Sequence, residues 1–399
     1  MMTLIHIIDW VLWIFMAPSV LYVFFYAIIS LFPSRRTNHQ PSALSPQPST
    51  FLILFPAYKE DAVIVHSVRQ CLEQTYPKER YHIGVISDHM QDKTNELLRQ
   101  LPITLFTPQF EKSSKAKALQ YAISEVRGKR QEVRGESNDF DYVIILDADN
   151  MVMPDFLEQV NASCHQGYKA IQCHRCAKNS QNDVAVLDGV SEEINNTIFR
   201  KAHNTIGLSS ALIGSGMCFT FDWFCQHVDL LDSAVEDREL ESFLLKEKVY
   251  IKFEENVPVF DEKTSSQENF ERQRLRWMNG QLQALLIMLP DIPHAIATGN
   301  INYVDKTIQQ ALIPRSILLI VLPIFALIVM LVSLEESFKW WGLFIVLCIS
   351  LFIAIPTRLR TNTVFGKLVY FPRLALKMIK NILHLDKSNK EFFHTTHGK

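Results

Sequence analysis

The sequence predicts an α/β domain with a mostly parallel sheet, flanked by apolar segments that are long enough to cross a membrane. Between residues 51 and 289, short apolar runs typical of buried strands alternate with longer amphipathic segments typical of helices. Continuous apolar strands separated by helices indicate a sheet that is covered by helices on both faces. Three uncharged apolar runs lie outside this region, one before it and two after it.

The predicted elements follow one another along the α/β region. Apolar runs predict strands at 51–55, 82–86, 103–106, 142–146, 169–173, 217–221 and 249–253. Amphipathic segments predict helices at 60–73, 91–100, 114–126, 154–165, 184–206 and 267–289. Residues 127–140 are rich in charge, so we expect an exposed loop before the fourth strand.

Three runs are candidates for membrane spans: Trp10 to Phe32, Ser316 to Leu334 and Trp340 to Thr357. A bilayer core is crossed by about 20 apolar helical residues. Arg35 and Arg36 follow the first run, and nine Lys or Arg residues follow the last. The positive-inside rule therefore predicts a multi-pass protein of the cytoplasmic (inner) membrane, with residues 33–310 and the tail in the cytosol.

These features divide the chain into six regions. In order, we expect an N-terminal transmembrane anchor (1–32), a linker rich in Pro and Ser (33–50), the α/β domain (51–290), an interfacial segment (291–310), two transmembrane helices (311–357) and a basic cytosolic tail with an amphipathic helix (358–399).

Charge and cysteine content exclude some classes of protein. The chain has 40 Lys and Arg against 42 Asp and Glu, a net charge of −2, so we expect no nucleic-acid partner. Its seven cysteines predict no disulfide framework in the cytosol. Cys173-His174-Arg175-Cys176 resembles half of a zinc site, but no second CxxC follows, which favours buried thiols.

Two carboxylates stand at the end of the fourth predicted strand, in Asp147-Ala148-Asp149. Ligands bind beyond the carboxyl ends of strands in open α/β sheets, so this is a candidate ligand site. Mg²⁺ prefers a few carboxylates together with phosphate oxygens, which predicts a metal that also contacts a diphosphate. The alternative is a loop whose acids cap the following helix.

Further polar segments occur in a fixed order around this pair. They are Pro56-Ala57-Tyr58-Lys59-Glu60, Ser87-Asp88-His89-Met90, Ser114-Lys115-Ala116-Lys117, Gly214-Ser215-Gly216, Val235-Glu236-Asp237 and Gln273-Arg274-Leu275-Arg276-Trp277. The series resembles the membrane-bound family 2 glycosyltransferases, which include cellulose, hyaluronan and poly-N-acetylglucosamine synthases. The resemblance covers roughly residues 51–290, and the QxxRW motif after DxD and ED is its most specific part.

The resemblance implies a GT-A fold and a role for each of these side chains. Tyr58, Glu60 and Asp88 would contact the nucleoside, and Lys115 would contact the base or phosphates. Asp147 would contact the ribose or the metal, Asp149 would bind the Mg²⁺ or Mn²⁺ ion, and Gly214 and Ser215 would contact the substrate. Gln273, Arg276 and Trp277 would contact the diphosphate and acceptor, and Asp237 would be the base, with Glu236 beside it in the catalytic group. The implied reaction is inverting, metal-dependent transfer from a nucleotide-diphosphate sugar, most often a UDP-sugar.

The acceptor is left open by the sequence. Transfer to a saccharide in exopolysaccharide synthesis is one expectation; a single addition to a lipid acceptor is the alternative. A processive synthase normally uses more than three membrane helices, so it would need a second copy of the chain or an accessory membrane subunit. A noncatalytic assembly subunit with the same fold is a third possibility, and the presence of Asp147, Asp149 and Asp237 argues against it.

Overall fold

The computed structural model describes residues 2–33, 47–132, 140–178, 183–263, 267–361 and 366. The predicted amphipathic helix of the tail and most of the predicted linker lie outside these residues. The described parts contain an eight-stranded sheet, helices on both of its faces, and a group of apolar helices built from the two ends of the chain.

The strands are β1 (Phe51–Tyr58), β2 (Tyr81–Asp88), β3 (Thr104–Phe106), β4 (Tyr142–Ile145), β5 (Met151–Val152), β6 (Ala170–Ala177), β7 (Met217–Thr220) and β8 (Ile251–Asp261). The helices of the α/β region are α2 (Ile64–Cys71), α3 (Asp92–Arg99), α4 (Lys115–Glu132), α5 (Phe156–Cys164), α6 (Asp183–Asn195), α7 (Ala202–Thr205), α8 (Phe221–His227), α9 (Glu236–Lys246) and α10 (Gln267–Met288). The remaining helices are α1 (Met2–Ile29), α11 (Ile292–Ala297), α12 (Ile301–Ala311), α13 (Arg315–Met330) and α14 (Leu334–Ala354).

The sheet has the strand order β3-β2-β1-β4-β7-β6-β8-β5. The pairs β3–β2, β2–β1, β1–β4 and β6–β8 are parallel, whereas β7 runs antiparallel to both of its neighbours and β5 runs antiparallel to β8. The predicted α/β class is confirmed. In the parallel half of the sheet, the carboxyl ends of β1, β2 and β4 lie at one edge.

Side chains of β1 alternate between two apolar cores. Leu52 and Leu54 belong to the core beneath α4, α8 and α9, whereas Phe51, Ile53 and Phe55 belong to the core beneath α2, α3 and α5. Successive strand residues point to opposite faces of a sheet, so a continuous apolar run is buried on both sides. This explains why the strand runs lack the polar alternation of a half-exposed sheet.

Two segments differ from the sequence-based prediction. α4 continues to Glu132, so the expected loop at 127–140 begins later than predicted, and residues 133–139 lie outside the described part. The helix expected at 184–206 is α6 and α7 joined by a π-helical segment, Asn196–Lys201. A π segment adds a residue to the turn and is frequent at functional sites.

Two of the apolar helices are long enough and apolar enough to cross a membrane: His6–Ile29 within α1, and α14. The third predicted span is α13, which has only 16 residues and forms a pair with α12 that is bent by 56°. Among the described residues, a third span is present only if this bent pair crosses as one unit. The predicted interfacial segment contains α11 and most of α12.

The terminal helices pack against one another and against the α/β domain. Val20 of α1, Leu322 of α13, Leu347 of α14 and Ile198 of the π segment share one apolar core. On the outer side, apolar residues such as Phe15 remain exposed along these helices, including Ile7, Val11, Ile14, Leu21, Phe25, Leu327, Ile328, Phe338, Ile345 and Phe352. Such a surface is the kind that contacts lipid or protein.

Candidate active site at the ends of the parallel strands

β1 and β2 end side by side with Tyr58 opposite Asp88. The next residues, Lys59 and His89, have positive φ angles of 54° and 55°. Side chains other than glycine visit this region rarely, at a cost of roughly 1–2 kcal/mol each. Both strands thus turn sharply at the same edge, and backbone strain of this kind is found at ligand sites.

The two turns bring three of the predicted nucleoside-binding side chains into one corner. Asp88 is buried, and one of its carboxylate oxygens lies 2.6 Å from His89 Nδ1. The His89 ring packs edge-on against Tyr58, with 5.6 Å between ring centroids. The backbone N–H of Glu60 donates to the sulfur of Met90 at 3.1 Å. An aromatic ring and a buried carboxylate therefore lie close together at the ends of β1 and β2.

The loop after β4 is held by hydrogen bonds to a second loop. The backbone N–H of Asp147 donates to Asn150 Oδ1 and to Ser215 Oγ, each at 3.0 Å. Ser215 Oγ also donates to Asn150 Oδ1. Ser215 is fully buried, so its hydrogen bonds to Asp147 and Asn150 hold the Asp147–Asn150 turn from the interior of the protein.

Asp149 is oriented by its own pair of donors. Its Oδ2 accepts from the backbone N–H of Glu262 at 2.9 Å, and its Oδ1 lies 3.3 Å from Asn150 Nδ2. Asn150 Nδ2 also reaches Asp261, which forms a 2.7 Å ion pair with Arg175. The carboxylate is therefore held by the segment that follows β8, a contact that the local sequence around 147–150 does not show.

The carboxylates near this turn repel one another. Burial, together with the charges of Asp149, Asp147 and Glu262, raises the pKa of Glu60 to about 9. Like charges held together disfavour ionisation unless a cation joins them. A hard divalent cation bound to oxygen ligands satisfies this condition, so the residues present fit Mg²⁺ or Mn²⁺.

Lys115 connects the loop after β4 to the ED motif. Its ammonium lies 2.5 Å from Asp147 Oδ1, 2.5 Å from the carbonyl of Gly214, and 3.4 Å from Glu236 Oε1. Burial alone would lower the pKa of Lys115, but the charges of Asp147 and Glu236 raise it above its usual range. The lysine is therefore a permanent cation between two carboxylates that are remote in sequence.

Gly214 lies beside both acids of the ED motif. Its φ of +73° favours glycine, and a Cβ at this position would lie 3.7 Å from Asp237 Oδ2 and 3.9 Å from Glu236 Oε1. Burial raises the pKa of Glu236 to about 7, with Lys115 opposing and Asp237 adding to the shift. Asp237 is only half-buried and begins α9, so it is the more accessible of the two carboxylates.

The QxxRW motif lies on α10. Among the described residues, Gln273 Oε1 is buried without a hydrogen-bond partner, Arg276 is exposed, and Trp277 is half-buried. A Cβ at Gly280 would lie 2.6 Å from Val235 Cγ1, so glycine lets α10 approach the residue before the ED motif. The motif helix thus packs against the start of α9.

Sequence reasoning missed the supporting residues of this site. Asn150 and Glu262 position Asp149, and Arg274 forms a 2.9 Å ion pair with Asp188 while its guanidinium lies 4.9 Å from the Trp277 ring centroid. Arg274 stands inside the QxxRW motif and Asn150 directly follows DxD. Their positions beside predicted site residues could therefore have identified them from the sequence. Glu262 carries no such signal, because only the fold brings it near β4.

Comparison with protein families assigns the chain to a class. Residues 46–280 match the model of a family described as glycosyltransferase like family 2, which covers more than half of the chain. The chain belongs to this family. No curated protein has significant sequence similarity to this glycosyltransferase.

Solved structures support the fold of the glycosyltransferase. The mannosyltransferase PcManGT from Pyrobaculum calidifontis, in complex with GDP-Man and Mn²⁺, has a TM-score of 0.52 at 15% identity, over 91% of this chain and 95% of its own. TarS residues 1–349 from S. aureus has a TM-score of 0.44 at 12% identity, over 84% and 90%. The family match and the similarity to the mannosyltransferase confirm the predicted GT-A fold, and the family match shows that the protein is a glycosyltransferase.

Proposed function

We propose that this glycosyltransferase transfers a sugar, with inversion, from a nucleotide-diphosphate sugar to a saccharide or lipid-linked acceptor at the cytosolic face of a membrane. The contact that supports this most strongly is Lys115, which lies between Asp147 of the DxD motif and Glu236 of the ED motif. It joins the loop expected to bind the donor to the helix expected to carry the base.

The donor is proposed to bind along the ends of β1, β2 and β4. Tyr58, Asp88 and Glu60 would hold the nucleoside, and Asp147 and Asp149 would hold the divalent ion. That ion, when bound, would offset negative charge on the diphosphate as the bond to the sugar breaks. The mannosyltransferase of the same fold binds GDP-Man with Mn²⁺, which supports a metal and leaves both UDP- and GDP-sugars as candidates.

Asp237 is proposed as the general base. In an inverting transfer, the acceptor hydroxyl attacks C1 of the sugar, the C1–oxygen bond to the diphosphate breaks, and the hydroxyl proton passes to a carboxylate. Asp237 is suited to this step because it is half-buried, whereas Glu236 is buried and 3.4 Å from Lys115. A positioned base contributes about 10²- to 10⁴-fold to a rate.

The motif on α10 is proposed to bind the leaving group and the acceptor. Arg276 is exposed, and bidentate hydrogen bonds to the phosphates of a diphosphate suit arginine. The half-buried Trp277 offers an aromatic face for a sugar ring. Gln273 adds a buried carbonyl oxygen with no partner among the described residues, which an acceptor hydroxyl would satisfy.

We propose that α1, the bent pair of α12 and α13, and α14 anchor the enzyme in the cytoplasmic membrane with the α/β domain in the cytosol. α1 and α14 meet the length and hydropathy of a span, and with the bent pair as a third span the basic residues that follow α1 and α14 both lie on the cytosolic side. An acceptor elongated at this membrane face would be an exopolysaccharide. A homo-oligomer or an accessory membrane subunit would supply the further helices that translocation needs.

A single addition to a lipid acceptor is the second candidate. The observation that favours it is the small number of candidate spans, two or at most three, because a single transfer requires only proximity to the bilayer. A noncatalytic assembly subunit is disfavoured, because the acids of both motifs are present and gathered around Lys115.

The test is a donor screen with the full chain in nanodiscs. Nucleotide release and product size are measured together with UDP- and GDP-sugars, Mg²⁺ or Mn²⁺, and extracted lipid. A long product supports polysaccharide synthesis, and one sugar on a lipid supports the second candidate. Folded protein that releases nucleotide from no donor would overturn the catalytic proposal.

A further inference from the structure

A cluster of three potential metal ligands lies between β6 and α6. His174 and Cys176 of β6 and Glu193 of α6 each place one ligand atom within 4.8 Å of the others, and all three residues are buried. His174 and Cys176 are two residues apart on a strand and therefore project from the same face. Cys173 lies elsewhere, in the core next to Gly216, so the CxxC spacing does not form a chelating pair.

The orientation of each ligand is set by a second contact. His174 Nδ1 lies 2.8 Å from the backbone carbonyl of Glu255, to which it donates, leaving Nε2 directed at Glu193 Oε2 at 3.0 Å. The other oxygen of Glu193 accepts from Arg358 at 2.6 Å. A ligating histidine usually donates its second ring N–H to a carbonyl or carboxylate, which fixes the ring for metal binding.

The donor set selects a class of metal. Imidazole, thiolate and carboxylate together suit zinc and related transition metals, whereas Mg²⁺ and Mn²⁺ prefer oxygen ligands. We propose that His174, Cys176 and Glu193 bind a zinc-class divalent ion, with a fourth position open to water. The site is separate from the DxD loop, because the intervening Arg175 projects to Asp261 and the carbonyl of Ile213.

Metal binding competes with the ion pair that His174 and Glu193 form in the metal-free protein. Both ring nitrogens of His174 face acceptors, the carbonyl of Glu255 and the carboxylate of Glu193, and the hydrogen bonds to Cys176 and Glu193 raise the pKa of His174 to about 10 although burial lowers it. Binding releases the Nε2 proton and the thiol proton, and the ion replaces both. Ligands of a tetrahedral zinc ion lie about 3.3–3.6 Å apart, given bonds of ~2.0–2.3 Å, and the three ligand atoms here all lie within 4.8 Å of one another.

A metal here would act through α6, the helix against which the QxxRW segment is anchored. Asp188 of α6 binds Arg274, Asn195 binds Arg315 at 2.7 Å, and Glu192 lies 3.5 Å from Arg200. An ion that fixes Glu193 to β6 would hold this helix, and with it α10, against the sheet. Glu193 and its partners are therefore positioning residues, not catalytic ones.

The test measures metal content, so its result does not depend on the proposed reaction. The full chain in nanodiscs is loaded with Zn²⁺ or Co²⁺, passed through a desalting column, and analysed by elemental analysis and absorption spectroscopy. We expect one retained Zn²⁺ per chain and a thiolate-to-cobalt charge-transfer band. Cobalt bound to the carboxylates of the DxD loop gives no such band.

The Cys176→Ser variant should lose both the band and the retained zinc, whereas the matched Cys173→Ser variant should keep them. If Cys176→Ser does not fold, His174→Gln serves as the second variant and should likewise abolish the band. Native protein that retains no zinc, or a band that persists in Cys176→Ser and His174→Gln, would overturn the proposal and leave a buried ion pair only.

Discussion

Lys115 lies 3.4 Å from Glu236 while its ammonium also contacts Asp147. The lysine opens α4, the glutamate opens α9, and the aspartate follows β4, so three separate segments converge on one cation. Two carboxylates this close would repel each other without it. Lys115 is therefore expected to organise the site as well as to contact a substrate.

Removing this cation should destabilise the protein and its site. The Lys115→Met variant leaves Asp147 and Glu236 without their shared partner, and loss of one member of a buried ion pair costs ~3–5 kcal/mol. Because Lys115 keeps 17% of its side-chain exposure, we expect a loss near or below the lower end of that range. Thermal unfolding of the variant measures it.

The Lys117→Met variant is the matched control, since Lys117 is exposed on the same helix turn and its ammonium donates to the carbonyl of Lys112 at 3.0 Å. It should unfold like the native protein. Equal unfolding temperatures for the two variants would contradict the role given to Lys115.

Glu236 predicts a pH dependence of stability. Its pKa is raised from 4.5 to about 7 in the folded protein, so folding favours its protonated form. That stabilisation is present below pH 4.5 and is lost as the pH rises through about 7. At ~1.4 kcal/mol per pKa unit, the effect amounts to at most about 3 kcal/mol.

The Glu236→Gln variant is neutral at every pH and should remove this contribution. Compared with the variant, the metal-free native protein should lose stability between pH 4.5 and 7, as followed by thermal unfolding in EDTA. Parallel pH profiles for the two proteins would show that Glu236 does not titrate in this range.

Asp149 should control the response to divalent metal. Mn²⁺ with UDP or GDP is expected to raise the unfolding temperature of the native protein, because a ligand that binds only the folded state stabilises it. Asp149→Asn should remove most of that increase and most of the nucleotide release. Asp155→Asn, an exposed aspartate at the start of α5, is the control and should respond like the native protein.

Substitutions of the two arginines of the QxxRW segment should differ in their effects on substrate binding and on stability. Arg276 is exposed, so Arg276→Ala should lower turnover while leaving the unfolding temperature nearly unchanged. Arg274 pairs with the buried Asp188, so Arg274→Ala should lower the unfolding temperature as well. Asn279→Ala, at an exposed position on α10, controls for general effects on the helix. The reverse pattern would show that Arg274, not Arg276, contacts the diphosphate.

Sequence patterns predicted the parts of this fold that depend on local chemistry. The apolar run at 51–55 is buried on both faces because helices cover the sheet, and the sequence shows it as an unbroken apolar segment. The antiparallel direction of β7 was not predictable, because a four-residue apolar run has no directional signal. The bend between α12 and α13 had a local signal, because Pro314 stands directly before α13 and the residue before a proline disfavours the helical conformation.

The candidate site was predictable where motifs end strands or open helices. Tyr58, Asp88 and Asp147 follow this rule, since strand ends gather at one edge of a parallel sheet. The roles of Glu262, Arg175 and Asp188 were not, because each meets its partner only through the tertiary fold. The pairing of His174 with Glu193 was hidden for the same reason.

The proposed convergence of the metal-binding loop and the base is tested most directly by nucleotide release from the Asp237→Asn variant in nanodiscs, with Mn²⁺ and the best donor. Transfer should fall by ~10²- to 10⁴-fold while Mn²⁺-dependent nucleotide binding is retained. Asp232→Asn, an exposed aspartate on the segment before α9, should transfer at the native rate. Native-rate transfer by Asp237→Asn would show that the base lies elsewhere and would contradict the mechanism.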